Sequence, residues 1–277
     1  MYVYTANAYA LGGFLRRPFQ QVINVPAASS LSWVGGFQSS ESGPFQLNGI
    51  LSFQRAYTQV SGSVDNRGAV PVYNAQATAV LEDFRLQEVV SAKRVVAQLS
   101  TKIRTDNRNP VPSSEHEFSF SGTHFEELRI NGQAIDADLN LDFWKDCPTQ
   151  SALRQRYHDD PSARSELNAI CGWKDHLKNC PLLDRADPEW TRKFSDEEIP
   201  ERGGAIAATL LKHPIHVRGG YTEGFAIRIP DFGKIYLAEI IVENRSRRLN
   251  MLRFELGSPN EGEFAAGGVA GNGTWYP

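Results

Sequence analysis

The residues best suited to metal binding or nucleophilic chemistry lie near the middle of the chain. They are three cysteines and two histidines: Cys147, His158, Cys171, His176 and Cys180. Zinc is usually held by four such nitrogen and sulfur ligands in a tetrahedron, but the sequence lacks the paired Cys-x-x-Cys spacing that is typical of zinc sites. A thiolate activated by a neighbouring imidazole would instead be a nucleophile, and Cys171 or Cys180 beside His176 would be that pair.

The cysteines leave further alternatives open. A disulfide would join Cys171 to Cys180, or Cys147 to either of them. An odd number of cysteines is more typical of a reducing compartment than of a disulfide framework, and free cysteines are usually buried. The sequence therefore favours free, buried thiols over a disulfide, a structural metal or a Cys–His nucleophile. It predicts neither a metal nor a cofactor.

Two histidines and a group of carboxylates are the remaining candidates. His213 and His216 lie three residues apart around a proline, and in an extended chain such residues point to opposite faces, so we interpret them as surface histidines. A glycosidase needs two facing carboxylates at a defined separation, whereas the alternation of Asp136 and Asp138 is typical of a solvated strand face. No catalytic residue is therefore assigned, and enzyme activity is left open. The carboxylates around this predicted hairpin are Glu115, Glu117, Glu126, Glu127, Asp136, Asp138 and Asp142.

Charge and composition restrict the classes of partner. The formal net charge is −3, without the clustered positive excess that proteins use to bind phosphate backbones. The beginning of the chain has no signal-peptide pattern, and no stretch approaches the roughly 18 apolar residues needed to span a bilayer. We expect a cytoplasmic protein with no nucleic-acid or membrane partner. A short cationic run is interpreted as the solvated rim of a hairpin; its members are Arg245, Arg247, Arg248 and Arg253.

The elements that position these residues are mainly strands. Between Arg94 and Arg104, apolar or small residues alternate with polar ones, which is typical of a strand with one buried and one solvated face in an antiparallel sheet. Asn48-Gly49 and Asn131-Gly132 lie between apolar residues and predict tight hairpin turns. The buried face of the predicted strand consists of Val95, Ala97, Leu99, Thr101 and Ile103.

Strand character stops at about Asp142 and resumes at about Gly203. In between, Asp160-Pro161 places a capping carboxylate before a proline at the first helical position, so short helices are expected. The predicted fold is mainly β: an antiparallel β-sandwich or barrel that forms a single domain over residues 1–277. A helical insertion at about 142–202 packs over one end. Both flanking β regions are expected to complete one core.

Two segments resemble a group of uncharacterised bacterial β-rich proteins of unassigned function. One is Phe125–Gly132, with the pattern Phe-x-x-Leu-x-Ile-x-Gly; the other runs from Ala238 to Pro259 and is followed by Gly271-Asn272-Gly273. The resemblance implies a bacterial origin and a β fold. It brings no catalytic residues to this chain.

Two functions are compatible with these observations. The first is a non-enzymatic structural or binding protein that self-associates as a homo-oligomer, since aromatic residues are frequent near both chain ends and exposed aromatic clusters mark interfaces. The alternative is an enzyme or small-molecule binder that uses a pocket at the mouth of the sandwich or barrel, under the helical insertion. The aromatic residues in question are Tyr2, Tyr4, Tyr9, Phe14, Trp275 and Tyr276.

Overall fold

The computed structural model describes residues 2–23, 25–104, 115–170, 206–242 and 246–275. Strands account for 59% of the chain and helices for 10%, so the predicted β class is confirmed. The elements are β1 Tyr2–Leu15, β2 Gln21–Ile23, β3 Ala28–Ser30, β4 Gly36–Ser42, β5 Phe45–Leu47, β6 Leu51–Phe53, β7 Arg55–Asp65, β8 Val72–Leu86, β9 Val90–Arg104, β10 Glu117–Ser119, β11 His124–Glu126, β12 Arg129–Ile130, β13 Gln133–Ala134, α1 Leu141–Asp146, α2 Gln150–Asp159, α3 Pro161–Ile170, β14 Ile206–Thr209, β15 Tyr221–Glu223, β16 Ala226–Ile229, β17 Gly233–Val242, β18 Ser246–Leu256 and β19 Gly262–Trp275.

The described strands form two antiparallel sheets. Sheet 1 has the order β15-β16-β17-β18-β19-β1-β2, with β3 also pairing with β1 and β14 with β17. Sheet 2 is built around β4-β7-β8-β9, and β10, β11 and β12 pair with the far side of β9. In sheet 1 the first and last strands pair along their whole length, from Tyr2 opposite Trp275 to Leu15 opposite Gly262. The two flanking β regions therefore share one sheet.

The sheets face each other across a continuous hydrophobic core. Phe84 of sheet 2 stacks on Phe254 of sheet 1 with ring centroids 6.0 Å apart. An added Cβ on Gly271 of β19 would lie 2.9 Å from the Thr101 side chain of β9, so the backbones approach closely. Neither sheet closes on itself in the described part of the chain, so the barrel alternative is not formed there.

The strand β9 shows why the alternating pattern was informative. All five residues predicted to share its buried face are buried in the core, and β9 pairs with β8 over its full length. Both Asn-Gly turns are also confirmed: Asn48-Gly49 connects β5 to β6, and Asn131-Gly132 connects β12 to β13. Asn48 and Asn131 adopt positive φ, which asparagine and glycine tolerate in such turns.

A transverse row of four residues interrupts the pairing in sheet 1. Ala10, Gly267, Met251 and Ala238 lie opposite one another on β1, β19, β18 and β17, and none is paired although the register continues unchanged on both sides. Ala238 and Gly267 have positive φ. In β1 and β18 two consecutive residues are buried at this row, whereas β17 is buried without interruption from Ile235 to Ile240. The side-chain alternation of β1 and β18 therefore changes phase there, and we call this row the crease.

Three short helices occupy part of the predicted insertion. The Asp160 carboxylate accepts hydrogen bonds from the backbone of Ser162 and Ala163 at 2.9 and 3.2 Å, so the predicted cap-plus-proline start of α3 is confirmed. Trp144 of α1 packs edge-on against Phe120 beside sheet 2. The rest of the predicted insertion, 171–202, lies outside the described residues. Among the described helices, none is long and apolar enough to cross a membrane.

Strand structure resumes after the helical segment, as expected, but the first strand there is short. It covers only Ile206–Thr209, which pairs with β17. Leu211 instead forms an isolated bridge to Leu139. This bridge draws the chain away from β17 and toward the segment that leads into α1.

Candidate functional site

Strand β4 forms an open edge of sheet 2. Gly36–Ser42 pairs on one side with β7, from Gly36 opposite Gly62 to Ser42 opposite Ala56, and no described strand pairs with its other side. All of its residues are exposed or half-buried. An unpaired edge presents a row of backbone donors and acceptors that can template pairing with another strand.

This edge lacks the features that usually prevent such pairing. Proteins protect edge strands with lysine, proline, bulges or very short length. The seven residues of β4 contain no lysine and no proline, and their register with β7 runs without a bulge. Their single charge, Glu41, accepts a hydrogen bond of 2.8 Å from Arg55 on β7. The edge is therefore regular, neutralised and accessible.

Exposed apolar side chains border the same edge. Trp33 and Val34 precede β4 and are 56% and 62% exposed; Phe37 on β4 is 58% exposed, and Val64 at the end of β7 is 43% exposed. The turn that presents Trp33 is fixed by a hydrogen bond of 3.0 Å from the Tyr4 backbone to the Trp33 carbonyl. We call Gly36–Ser42 together with Trp33, Val34 and Val64 the β4 surface. Phe37 shares the outer face of sheet 2 with Ser61, whereas Val64 shares the inner face with Tyr73, so exposed apolar residues border the edge from both faces.

Two of the aromatic residues expected at an interface lie in the core instead. Tyr2 and Tyr4 are buried, and the Tyr2 ring packs against the Tyr73 ring with centroids 4.4 Å apart. The Tyr2 hydroxyl shares a hydrogen bond of 3.3 Å with Nε2 of buried His116. Burial raises the pKa of Tyr4 to about 12. These rings belong to the core, where the alternation of β1 places them. Tyr9 and Phe14 are half-buried, and the Trp275 side chain and Tyr276 lie outside the described residues.

The cationic run is also placed differently from the prediction. Arg248 is exposed, as expected, but Arg247 is buried with its guanidinium carbon 4.2 Å from the Phe118 ring centroid. Arg253 is only 12% exposed. The crease explains Arg247, because the change of phase at Met251 turns the odd-numbered residues before it toward the core. Arg245 lies outside the described residues.

Arg253 is the centre of a charged network on the outer face of sheet 1. It donates two hydrogen bonds to the Glu239 carboxylate, at 2.7 and 3.0 Å, and one of 2.7 Å to Glu255. Tyr236 lies directly opposite on β17 and donates a hydrogen bond of 3.0 Å to Glu255. Glu263 completes the group at 3.5 Å from Arg253. Burial raises the pKa of Glu263 above its ordinary value despite that arginine.

The Cys and His candidates are not gathered into one site in the part of the chain that the structure describes. Cys147 is a buried free cysteine, and burial raises the pKa of its thiol. His158, His213 and His216 are exposed. No group of three or more His, Cys, Asp or Glu residues suited to a metal ion occurs among the described residues. Cys171, His176 and Cys180 lie outside them.

The predicted carboxylate cluster is distributed over separate ion pairs. Glu117 pairs with Lys102 at 3.7 Å and Glu127 with Lys93 at 3.0 Å. Glu115 instead accepts a hydrogen bond of 2.9 Å from the backbone of Ser151 at the start of α2. These three carboxylates thus each have a separate local partner. The remaining pairs are Glu126 with Arg94 and Asp138 with Lys212.

A polar groove of about 490 Å³ crosses the outer face of sheet 2. Its floor contains two rows of directly opposed side chains from β7, β8, β9 and β10, and its wall is formed by Lys145 and Pro148 of the helical segment. Sequence reasoning missed the groove because its serine and amide residues are the ordinary residues of a solvated strand face. The first row is Ser61, Gln76, Ser100 and Ser119; the second is Ser63, Asn74, Lys102 and Glu117.

Comparison with known proteins identifies a family. The family model described as "Domain of unknown function (DUF8256)" matches residues 2–243, so the chain belongs to that family. The resemblance to an uncharacterised group is therefore confirmed. No curated protein and no solved structure matches the chain.

Proposed function

We propose that this member of the DUF8256 family is a non-enzymatic structural or binding protein that self-associates by pairing the β4 strands of two copies. The observation that carries the proposal is the unprotected β4 edge, bordered by exposed Trp33, Val34 and Phe37. Strand addition satisfies the backbone groups of such an edge, while the neighbouring side chains supply hydrophobic contact. The two facing sheets, arranged as a β-sandwich in one domain, are the scaffold that holds the edge rigid.

The second copy of the chain is the partner that β4 fits best. A twofold axis through Ser39 and perpendicular to the sheet gives an antiparallel pair in which Ser39 meets Ser39 and Phe37 meets Glu41. Homo-oligomers commonly use such self-complementary twofold contacts. The arrangement places no like charges directly opposite each other, which would be destabilising. The seven residues span roughly 23 Å at about 3.3 Å per residue.

The same proposal covers location and other partners. A cytoplasmic location is supported by the free thiol of Cys147 and by the uneven cysteine count, because disulfides are rare in reducing compartments. The net charge of −3 argues against nucleic acid as a partner. A bacterial origin is supported by the resemblance of the Phe125–Gly132 segment.

Sedimentation velocity over a wide concentration range tests the self-association. We expect a discrete oligomer in the wild type and a shift to monomer in Ser39→Lys, because two lysines would then face each other across the twofold axis. Ser121→Lys makes the same chemical change in an exposed turn of sheet 2 and should leave the oligomer intact.

Two outcomes would overturn the proposal. One is a wild-type chain that stays monomeric at every concentration. The other is an oligomer that survives Ser39→Lys but dissociates in Val22→Lys. That result would move the interface to the second exposed apolar group, Phe19, Val22 and Val25 around β2.

A further inference from the structure

The polar groove on sheet 2 is a second site, independent of β4 pairing. Its volume of about 490 Å³ falls in the range of small-molecule sites, roughly 300–1,000 Å³. Rigid paired strands form its floor, so the side chains keep fixed spacings along each row. The helical segment contributes the wall through Lys145 and Pro148. The groove lies on the outer face of sheet 2 and not at the mouth of the sandwich, where the sequence suggested a ligand pocket.

The floor presents uncharged groups that both donate and accept hydrogen bonds. Serine hydroxyls and the amides of asparagine and glutamine have this dual capacity. Ser119 already accepts a hydrogen bond from the backbone of Ser121 at 3.3 Å, and Asn74 donates a long one of 3.4 Å to a carbonyl on its own strand. In the described structure Ser61, Gln76 and Ser100 make no side-chain hydrogen bond, so they remain available to a ligand.

The dual donor-and-acceptor chemistry fits a ligand rich in hydroxyl groups. Each hydroxyl of such a ligand needs a partner that can act in either role, and a row of serines and amides provides several at regular intervals. The only ring among the lining residues is Phe118, which is buried in the core. No exposed aromatic ring lines the groove itself, although exposed Phe37 of β4 lies directly opposite Ser61 and borders the first row. Recognition within the groove would therefore depend on hydrogen bonds.

The charges of the groove indicate that its ligand carries a negatively charged group. Lys102 is neutralised by Glu117 at 3.7 Å. Lys145 is exposed at the end of α1 and forms no ion pair with any described residue. The groove therefore carries one unmatched positive charge at its wall. A carboxylate on the ligand would pair with this lysine while the hydroxyls meet the floor.

We propose that the groove binds an acidic saccharide, a chain of hydroxylated sugar rings that bear carboxylate groups. The floor residues Ser61, Gln76 and Ser100 would contact the hydroxyls, and Lys145 would bind a carboxylate. This inference goes beyond self-association and does not depend on it, because no residue of β4 lines the groove.

Titration calorimetry and amide NMR on the full chain test the inference. The probes are tetramers of galacturonic acid, guluronic acid and glucuronic acid, with galactotetraose and a sulfated galactose tetramer as comparisons. We expect at least one carboxylated tetramer to bind and to shift the amide signals of residues 61, 76 and 100. Binding should weaken with added salt, since ion pairing at an exposed lysine is screened.

Variants locate the two parts of the interaction. Gln76→Ala and Lys145→Ala should each weaken binding roughly ten-fold, which corresponds to one hydrogen bond or ion pair. Lys93→Ala removes an exposed lysine from the other end of β9 and should have no effect. The proposal is overturned if no carboxylated tetramer binds. It is also overturned if neutral or sulfated tetramers bind equally well, or if Lys145→Ala and Lys93→Ala behave alike.

Discussion

Arg253 lies over Tyr236, with its guanidinium carbon 3.7 Å from the centre of the ring directly opposite it on β17. Arginine stacked on an aromatic face gains a cation–π interaction, and here the same guanidinium binds the nearly buried Glu239 through two hydrogen bonds. The three side chains tie β17 to β18 on the outer face of sheet 1. A charged group on a face of an antiparallel sheet is normally solvated, so this burial identifies a structural network.

The network predicts a large loss of stability when its cation is removed. Arg253→Met keeps much of the side-chain volume but leaves the Glu239 carboxylate buried without a partner. Removal of one member of a buried pair typically costs about 3–5 kcal/mol in the free energy of unfolding. Arg248→Met on the same strand is the matched control, because Arg248 is exposed; it should change stability little. Urea unfolding followed by circular dichroism measures both, and equal effects would contradict the structural role.

The burial of Glu263 predicts how the stability of the folded protein changes with pH. Burial raises its pKa in the folded state above the ordinary value of 4.5, so the folded state holds this proton more tightly than the unfolded state does. The resulting stabilisation is fully present below about pH 4.5 and is lost as the pH rises through the folded-state pKa. The stability of the wild type relative to Glu263→Gln should therefore decrease as the pH is raised from acid toward neutral. A difference that increases over this interval would contradict the burial of Glu263.

Position 268 has no room for a side chain, because the Tyr9 ring lies directly over Gly268. A Cβ at this position would lie 2.0 Å from the Tyr9 ring, whose hydroxyl donates a hydrogen bond of 2.6 Å to Asn250. Gly268→Ala must displace the ring and should cost about 1–3 kcal/mol, as overpacking commonly does. Gly43→Ala has open space around the new methyl group and should be tolerated. Thermal unfolding of the two variants gives the comparison, and similar melting temperatures would contradict this packing.

The alternation of β9 and the two Asn-Gly turns could be predicted from sequence because they depend on local rules. The burial of Arg247 could not. It depends on the crease, where Ala10, Ala238, Met251 and Gly267 from four strands line up. Nothing in one strand's own sequence shows that its neighbours interrupt their alternation at the same row.

The candidate interface was missed for a related reason. Tyr2 and Tyr4 suggested an exposed cluster, but which face of β1 is buried depends on the facing sheet. The β4 residues Gln38, Ser39 and Ser40 gave no signal because an edge is a property of the sheet order. Whether a strand lies at the centre or at the edge of a sheet depends on partner strands that are far away in the sequence. The groove could not be predicted for the same reason, because its lining residues come from four strands and the helical segment.

The two proposals together predict an avidity effect. Because the twofold axis is perpendicular to the sheet, β4 pairing places both grooves on the same side of the oligomer. A long polymer of the carboxylated sugar would then bind two grooves at once and gain affinity through effective concentration. Ser39→Lys should weaken binding of the polymer but leave binding of the tetramer unchanged. Equal binding of the polymer by the wild type and this variant would show that the grooves are not arranged in this way.

Hydrogen exchange of the β4 backbone tests the central claim most directly. Amide exchange in residues 36–42 is compared by mass spectrometry at low and high protein concentration. Pairing of β4 with a second copy predicts that these amides become protected as the concentration rises, while the exposed turn around Ser121 keeps its exchange rate. If the protein oligomerises and residues 36–42 exchange equally fast at both concentrations, the β4 edge is not the interface.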